Sequence, residues 1–157
     1  MPDPPRLISV VPGLEILQGE SEGRFPRSHS VVIRGSTDVL VDAGCGPSRL
    51  AELTATWTPE LLIVSHSHPD HCSDAWRLKG THIMSPVERS HSFWRFEPQS
   101  VRFAGTSAQQ WIRFVTEHLG IREFGADSHF DDGTVFDFGP ISLECHHAPG
   151  HTDDHYV

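Results

Sequence analysis

The stretch Leu61-Leu62-Ile63-Val64-Ser65-His66-Ser67-His68-Pro69-Asp70-His71 decides how this chain is read. Its first four residues are a short, uninterrupted apolar run, bounded by Pro59 and by a polar cluster, which is the pattern of a strand buried on both faces. Such a strand needs cover on both sides, so the run predicts an α/β sheet with helices on each face. The polar cluster after it reads His-x-His-x-Asp-His. Residues two apart in extended backbone leave the same face, so His66 and His68 can converge on one ion. Pro69 ends the strand, and Asp70 and His71 come next in the turn or the first helical residues. Four ligand-type side chains within six residues fit a metal site better than a capped helix start with exposed histidines.

Upstream of this stretch, Ala43-Gly44-Cys45-Gly46-Pro47 must turn sharply, and Pro47 suits the first position of a helix over 47–57, with Leu50, Leu53 and Trp57 at helical spacing. Residues 30–34 and 39–42 read as a hairpin across Gly35-Ser36-Thr37, and 7–17 as two strands about a Pro12-Gly13 turn. Downstream, 85–132 is crowded with aromatic and arginine residues. It reads either as a lid or insert over an acyl or aromatic substrate, or as a cover for the sheet. Arg95, Arg102 and Arg113 within it could attract a carboxylate, with nothing in the sequence selecting one. The same span contains a predicted helix over 107–119, with Ser107 as N-cap, Gln110 completing a capping box and Gly120 as the stop. A last hairpin, 134–138 with 141–146, crosses Gly139-Pro140.

Directly after that hairpin stands a second cluster, Cys145-His146-His147-Ala148-Pro149-Gly150-His151-Thr152-Asp153-Asp154-His155. Pro149-Gly150 forces a turn that presents His151 at a strand end, where an α/β sheet places its ligands.

The 157 residues fit one domain able to bury its own core without disulfides or metal. Twelve Lys and Arg against 21 Asp and Glu give a net charge of −9, which argues against a nucleic-acid partner found by bulk electrostatics. No apolar run approaches the roughly 20 residues of a membrane span, and the first residues lack the layout of a signal peptide. Three cysteines, odd in number and far apart, make no disulfide framework and fit a reducing, cytoplasmic compartment. Cys72 and Cys145 read as packing residues, and His29, His82, His91, His118 and His129 show no ligand spacing. Histidine, at 12 residues, equals Lys and Arg together.

Taken together, His66, His68, Asp70 and His71 after a buried strand, Pro-Gly-His-Thr around His151, and Asp42 in Val-Leu-Val-Asp-Ala-Gly resemble the metallo-β-lactamase superfamily. The resemblance runs over about 14–157 and implies an αββα sandwich, of which this chain has the first half and the start of the second. It implies that His66, His68 and His151 hold a first metal, that Asp70 and His71 contribute to a second, and that Asp42 supports a ligand histidine from behind. On its own, Asp42 reads as a cap for the helix near Pro47. The donor set suits Zn²⁺, two ions in a complete site, and also iron or manganese; the metal lowers the pKa of a bound water to about 7 and so makes a hydroxide nucleophile that Asp70 would orient.

Members of the family use two further ligands, a bridging Asp and a C-terminal His, beyond the Pro-Gly-His turn. Asp153, Asp154 and His155 come too soon after His151 to match those positions, though they could substitute chemically. The chain therefore reads as a truncated member, with exposed edges that favour a homo-oligomer or strand swap. The leading functional expectation is a hydrolase of small-molecule esters, thioesters, lactones or amides. The alternatives are a mononuclear iron dioxygenase acting on a thiol or persulfide, and a catalytically incomplete metal-binding fragment.

Overall fold

Residues 7–41 carry the apolar alternation of half-buried strands, and they fold as two antiparallel hairpins. β1 (Leu7–Val11) pairs with β2 (Leu14–Leu17), β2 with β3 (Ser30–Arg34), and β3 with β4 (Asp38–Val41). From β4 onward the pairing is parallel, through β5 (Leu61–Ile63) and β6 (His82–Pro86) to β7 (Ser128–Phe130). The computed structural model describes residues 6–89 and 93–157. Parallel neighbours need crossovers. These are α1 (Pro47–Thr54) between β4 and β5, the single turn α2 (Pro69–Cys72) after β5, and α3 (Phe96–Ala104) and α4 (Ala108–Arg113) between β6 and β7. A separate hairpin, β8 (Val135–Asp137) with β9 (Ser142–Glu144), forms a second sheet.

Two cores result, one on each face of the seven-stranded sheet. Leu40 and Leu62 point toward the helices and pack with Leu50, Leu53, Trp94, Val115 and Leu119. Val39 and Ile63 point the other way, toward Phe130, Phe138, Cys145 and Tyr156. The run 61–64 is therefore buried on both faces as its composition predicts, but the cover differs from the expectation. Among the described residues helices lie on one face only, and the β8–β9 hairpin closes the other, as in an αββα sandwich.

Three local expectations are corrected. The strand ends at Ile63, so His66 sits on a bend past it, while His68 keeps an extended backbone at φ −65° and ψ 143° just before Pro69, which opens α2. Ser107 makes no capping hydrogen bond, because it closes a 3₁₀ turn (Gly105–Ser107) and has a non-extended backbone with φ −95° and ψ 17°. Asp42 does not cap α1; Glu20 does so from the loop after β2, its Oε1 accepting from the N–H groups of Ser48 at 2.8 Å and Arg49 at 3.3 Å. Among the described residues no helix is long and apolar enough to cross a membrane.

Candidate metal centre

β4 and β5 run parallel and end side by side, which brings Asp42 and Ser65 together just past their C-terminal ends. Asp42 has a left-handed backbone, φ 61°, a conformation Asp tolerates better than most residues. Its carboxylate reaches across to the β5 end. Oδ1 accepts the Ser65 N–H at 2.8 Å, and Oδ2 accepts both the Ser65 hydroxyl at 2.8 Å and His71 Nδ1–H at 2.6 Å. With its proton given to Asp42, the Ser65 hydroxyl oxygen accepts from His66 Nδ1 at 3.0 Å. The network thus places the ring proton on Nδ1 of both His66 and His71 and leaves each Nε2 with a free lone pair.

The remaining rings gather about His66. Its ring centre lies 5.0 Å from His68, 5.1 Å from His151, 4.2 Å from His71 and 4.9 Å from His155. His68 Nδ1 and His151 Nε2 face each other at 2.9 Å, and one ring nitrogen from each of His66, His68 and His151 falls within 4.8 Å of the others. Burial first, and then the imidazoles of His71, His68 and His155, push the His66 pKa down to about 2, so this ring is neutral at pH 7. Burial likewise lowers His68, with His151 adding to it. Burial alone would also lower His71, but the hydrogen bond and charge of Asp42 outweigh it, and its pKa stands above the ordinary value.

A cation fits this donor set. His66 Nε2 is buried and has no hydrogen-bond partner among the described residues. A buried polar atom left so costs about 1–3 kcal/mol, a deficit that a metal would remove. Rings bound to one tetrahedral zinc through bonds of about 2.1 Å stand with centres roughly 5 Å apart, the spacing seen among His66, His68 and His151.

Asp70, in α2, has its Oδ2 3.8 Å from His71 Nε2. It also borders an apolar cleft of about 320 Å³ with His68, His151, Phe25, Phe103, Trp111 and Phe114. Three of these aromatics come from α3, α4 and the turn after α4, so part of the span 85–132 walls the cleft. Trp94, Val115 and Leu119 from the same span pack on the sheet.

Asp153 and Asp154 turn away from the histidines. Asp154 is fully buried and accepts from Ser67 N–H at 3.1 Å and Arg102 at 2.7 Å, while Asp153 pairs with Arg89 and Arg102. Arg102 is thereby held by carboxylates of the chain itself, and Arg95 faces Glu123 at 3.7 Å. Cys72 is buried, its thiol donating to the His68 carbonyl at 3.0 Å, and Cys145 lies in the inter-sheet core. His91 lies outside the described residues.

The sequence profile described as "Metallo-beta-lactamase superfamily" matches residues 23–157. The chain belongs to the metallo-β-lactamase superfamily. Solved structures of the superfamily share its fold. A metallo-β-lactamase from Cronobacter sakazakii, a mutant of the HARLDQ motif, superposes with a TM-score of 0.68 at 21% identity over 98% of this chain and 58% of that one. A class B3 di-zinc metallo-β-lactamase from an Alaskan soil metagenome gives 0.70 at 16% identity over 98% and 56%. A metallo-β-lactamase family protein from Thermus thermophilus gives 0.69 at 19% identity over 94% and 56%. This chain thus spans little more than half the length of those proteins. Among curated protein sequences none matches it.

Sequence reasoning missed Ser65, which links Asp42 to His66, and, although it read 85–132 as a lid or a cover, it did not select Phe103, Trp111 and Phe114 as the aromatics that face the cleft. An acceptor-capable residue immediately before His-x-His was a readable signal for the first. The second depends on how α3 and α4 fold over the site and has no local signal.

Proposed function

We propose that the chain is the histidine-bearing part of a metal-dependent hydrolase that acts on an ester, thioester, lactone or amide carbonyl of a small molecule. The observation that carries this reading is the three-imidazole set of His66, His68 and His151, with the unpartnered Nε2 of His66 inside it, opening on a cleft bordered by Asp70. Zinc suits the donors, one ion at these three rings and a second toward Asp70 and His71, with iron or manganese chemically compatible. Such an ion, when bound, supplies a water acidified to a pKa near 7 and a Lewis acid for the carbonyl.

The chain's own residues supply the rest. Asp42 and Ser65 hold His71 and His66 in the tautomer that offers Nε2. Asp70, which borders the cleft, would orient the attacking water and accept its proton. Phe103, Trp111 and Phe114 would take the apolar part of the substrate and exclude water from it. The three cysteines, free and buried, support a cytoplasmic location.

The test is metal content per chain by elemental mass spectrometry on protein purified without added metal, together with turnover of a generic aryl ester. Zinc in the protein, with turnover abolished in Asp70→Ala and His68→Ala, is the expected result. One iron per chain with thiol-dependent oxygen uptake would replace the hydrolase by a dioxygenase. Turnover retained in both variants would refute the site, and near-zero metal without turnover would leave an inactive fragment.

A further inference from the structure

We infer that Ser67 is a positioning residue of the metal centre: clamped between α3 and the segment that follows His151, it sets the directions of His66 and His68 and their separation from His151. The inference rests on the metal reading of the site above. It assigns a role to a residue that supplies no ligand atom of its own.

Two of the three imidazoles come from one segment, and the third comes from another 83 residues away. A peptide unit is rigid, so the relation between two successive units depends only on φ and ψ of the residue between them. For His66 and His68 that residue is Ser67, and both of its peptide units are held. Its N–H, in the unit shared with His66, donates to Asp154 Oδ2 at 3.1 Å. Its carbonyl, in the unit shared with His68, accepts from the Trp94 indole N–H at 2.9 Å. Ser67, Trp94 and Asp154 are all fully buried, where such bonds are stronger than in water.

The side chain closes a ring of hydrogen bonds. Arg102 Nη1 donates to the Ser67 hydroxyl oxygen, and Arg102 Nη2 donates to Asp154 Oδ1 at 2.7 Å, so Ser67, Asp154 and Arg102 are joined pairwise. A guanidinium presents its donors in a rigid fork. One side chain can therefore hold both the residue between His66 and His68 and the carboxylate three residues past His151. The next residue of α3, Phe103, lies against the His68 ring, 4.9 Å from centre to centre. Successive residues of α3 thus touch successive residues of the ligand segment, Arg102 on Ser67 and Phe103 on His68.

Bonds that served only the fold could fall anywhere on this loop. These three converge on the one residue whose backbone angles relate the two rings. Ser65 and Ser67 divide the work: the Ser65 hydroxyl selects the tautomer of His66, and Ser67 fixes where His66 and His68 point.

The experiment is zinc affinity of the full 157-residue chain by competition with a chromophoric chelator. The proteins compared are the unaltered chain, Ser67→Ala, Arg102→Lys, the double variant, and Leu53→Ala, a truncation of a buried residue in α1 that destabilises the core without altering the clamp. Loss of one hydroxyl in Ser67→Ala should weaken zinc binding about two- to tenfold, the equivalent of one hydrogen bond. Lysine keeps the charge of Arg102 but lacks its fork, so Arg102→Lys should lose about tenfold or more. Because Arg102 acts on the ligands through Ser67, the double variant should lose no more than Arg102→Lys alone. The visible spectrum of the cobalt-substituted chain, which reports ligand directions, should shift in Ser67→Ala and stay unchanged in Leu53→Ala. If Arg102→Lys does not fold, Ser67→Ala decides alone, since it removes a single oxygen atom. Unchanged affinity and cobalt spectrum in Ser67→Ala, losses that simply add in the double variant, or an equal loss in Leu53→Ala overturns the inference while leaving the three-histidine site standing. An unaltered chain that binds no zinc overturns both.

Discussion

Asp42 shows how much one residue does here. A side chain that bridges two parallel strand ends must leave β4 sideways, and the left-handed backbone at φ 61° turns it that way. Its two oxygens then take three donors from Ser65 and His71. A carboxylate can accept all three. An amide tolerates the backbone but has one accepting oxygen, and alanine has neither property. Asp42→Ala should therefore lower zinc affinity by about 10–100-fold, the usual effect of removing a residue that supports metal ligands. Asp42→Asn should fall between that variant and the unaltered chain. Chelator competition on the three proteins measures this, and equal affinity in all of them would mean that His71 and His66 need no support. Local sequence shows that Asp42 is special through Val-Leu-Val-Asp-Ala-Gly, but gives two readings for it, a helix cap and a ligand support. Parallel pairing of β4 with β5 separates them by carrying Asp42 to Ser65, 23 residues away.

At the scale of elements, the loop after β4 and the turn α2 are laid directly on each other. Ala43 N–H donates to the His71 carbonyl at 2.7 Å, and Asp74 N–H to the Ala43 carbonyl at 2.7 Å. Between them Gly44 is pressed so closely that a Cβ there would stand 1.6 Å from the Asp70 carbonyl oxygen. Backbone cannot swing aside as a side-chain end can, so Gly44→Ala must push α2 away. The expected cost is about 1–3 kcal/mol in urea denaturation, with weaker zinc binding because Asp70 and His71 ride on α2. Gly125→Ala, where a Cβ meets nothing within 4 Å, should stay within about 0.5 kcal/mol. The same scale explains which elements were readable. The hairpins carry their own turn residues, as at Pro12-Gly13 and Gly139-Pro140, and α1 carries Pro47 at its start. α3 was not readable, because Pro98 looks like a breaker although the first turn of a helix needs no donor there. β7 is only three residues long, too short to show a period, and exists because β6 lends it an edge.

Across the whole molecule, one ionic cluster joins pieces that no covalent neighbour relation connects. Arg102 on α3 reaches Ser67 in the loop after β5 and both Asp153 and Asp154 in the segment carrying His155, and Arg89 after β6 adds a second contact to Asp153. Burial alone would raise the pKa of Asp154, but the hydrogen bonds from Arg102 and Ser67 and the charge of Arg102 outweigh it and bring it to about 2, below the ordinary 3.8. A carboxyl group depressed on folding adds stability above its unfolded pKa, and that stability is lost as pH falls from about 4 toward 2. Arg102→Met removes the opposite charge and leaves a fully buried carboxylate held only by neutral donors such as the Ser67 N–H, which should cost about 3–5 kcal/mol at pH 7. The sign of the pH effect then reverses: Asp154 is pushed up by burial, protonation relieves it, and the gap between variant and unaltered chain should narrow at pH 3. Adding Asp154→Asn to Arg102→Met should recover part of the loss at pH 7, since no buried charge remains. Urea denaturation of the three proteins at pH 7 and pH 3 decides the matter. A cost that is the same at both pH values, and is not reduced by the second substitution, would mean that Arg102 joins these layers by its packing over Phe103 rather than by its charge.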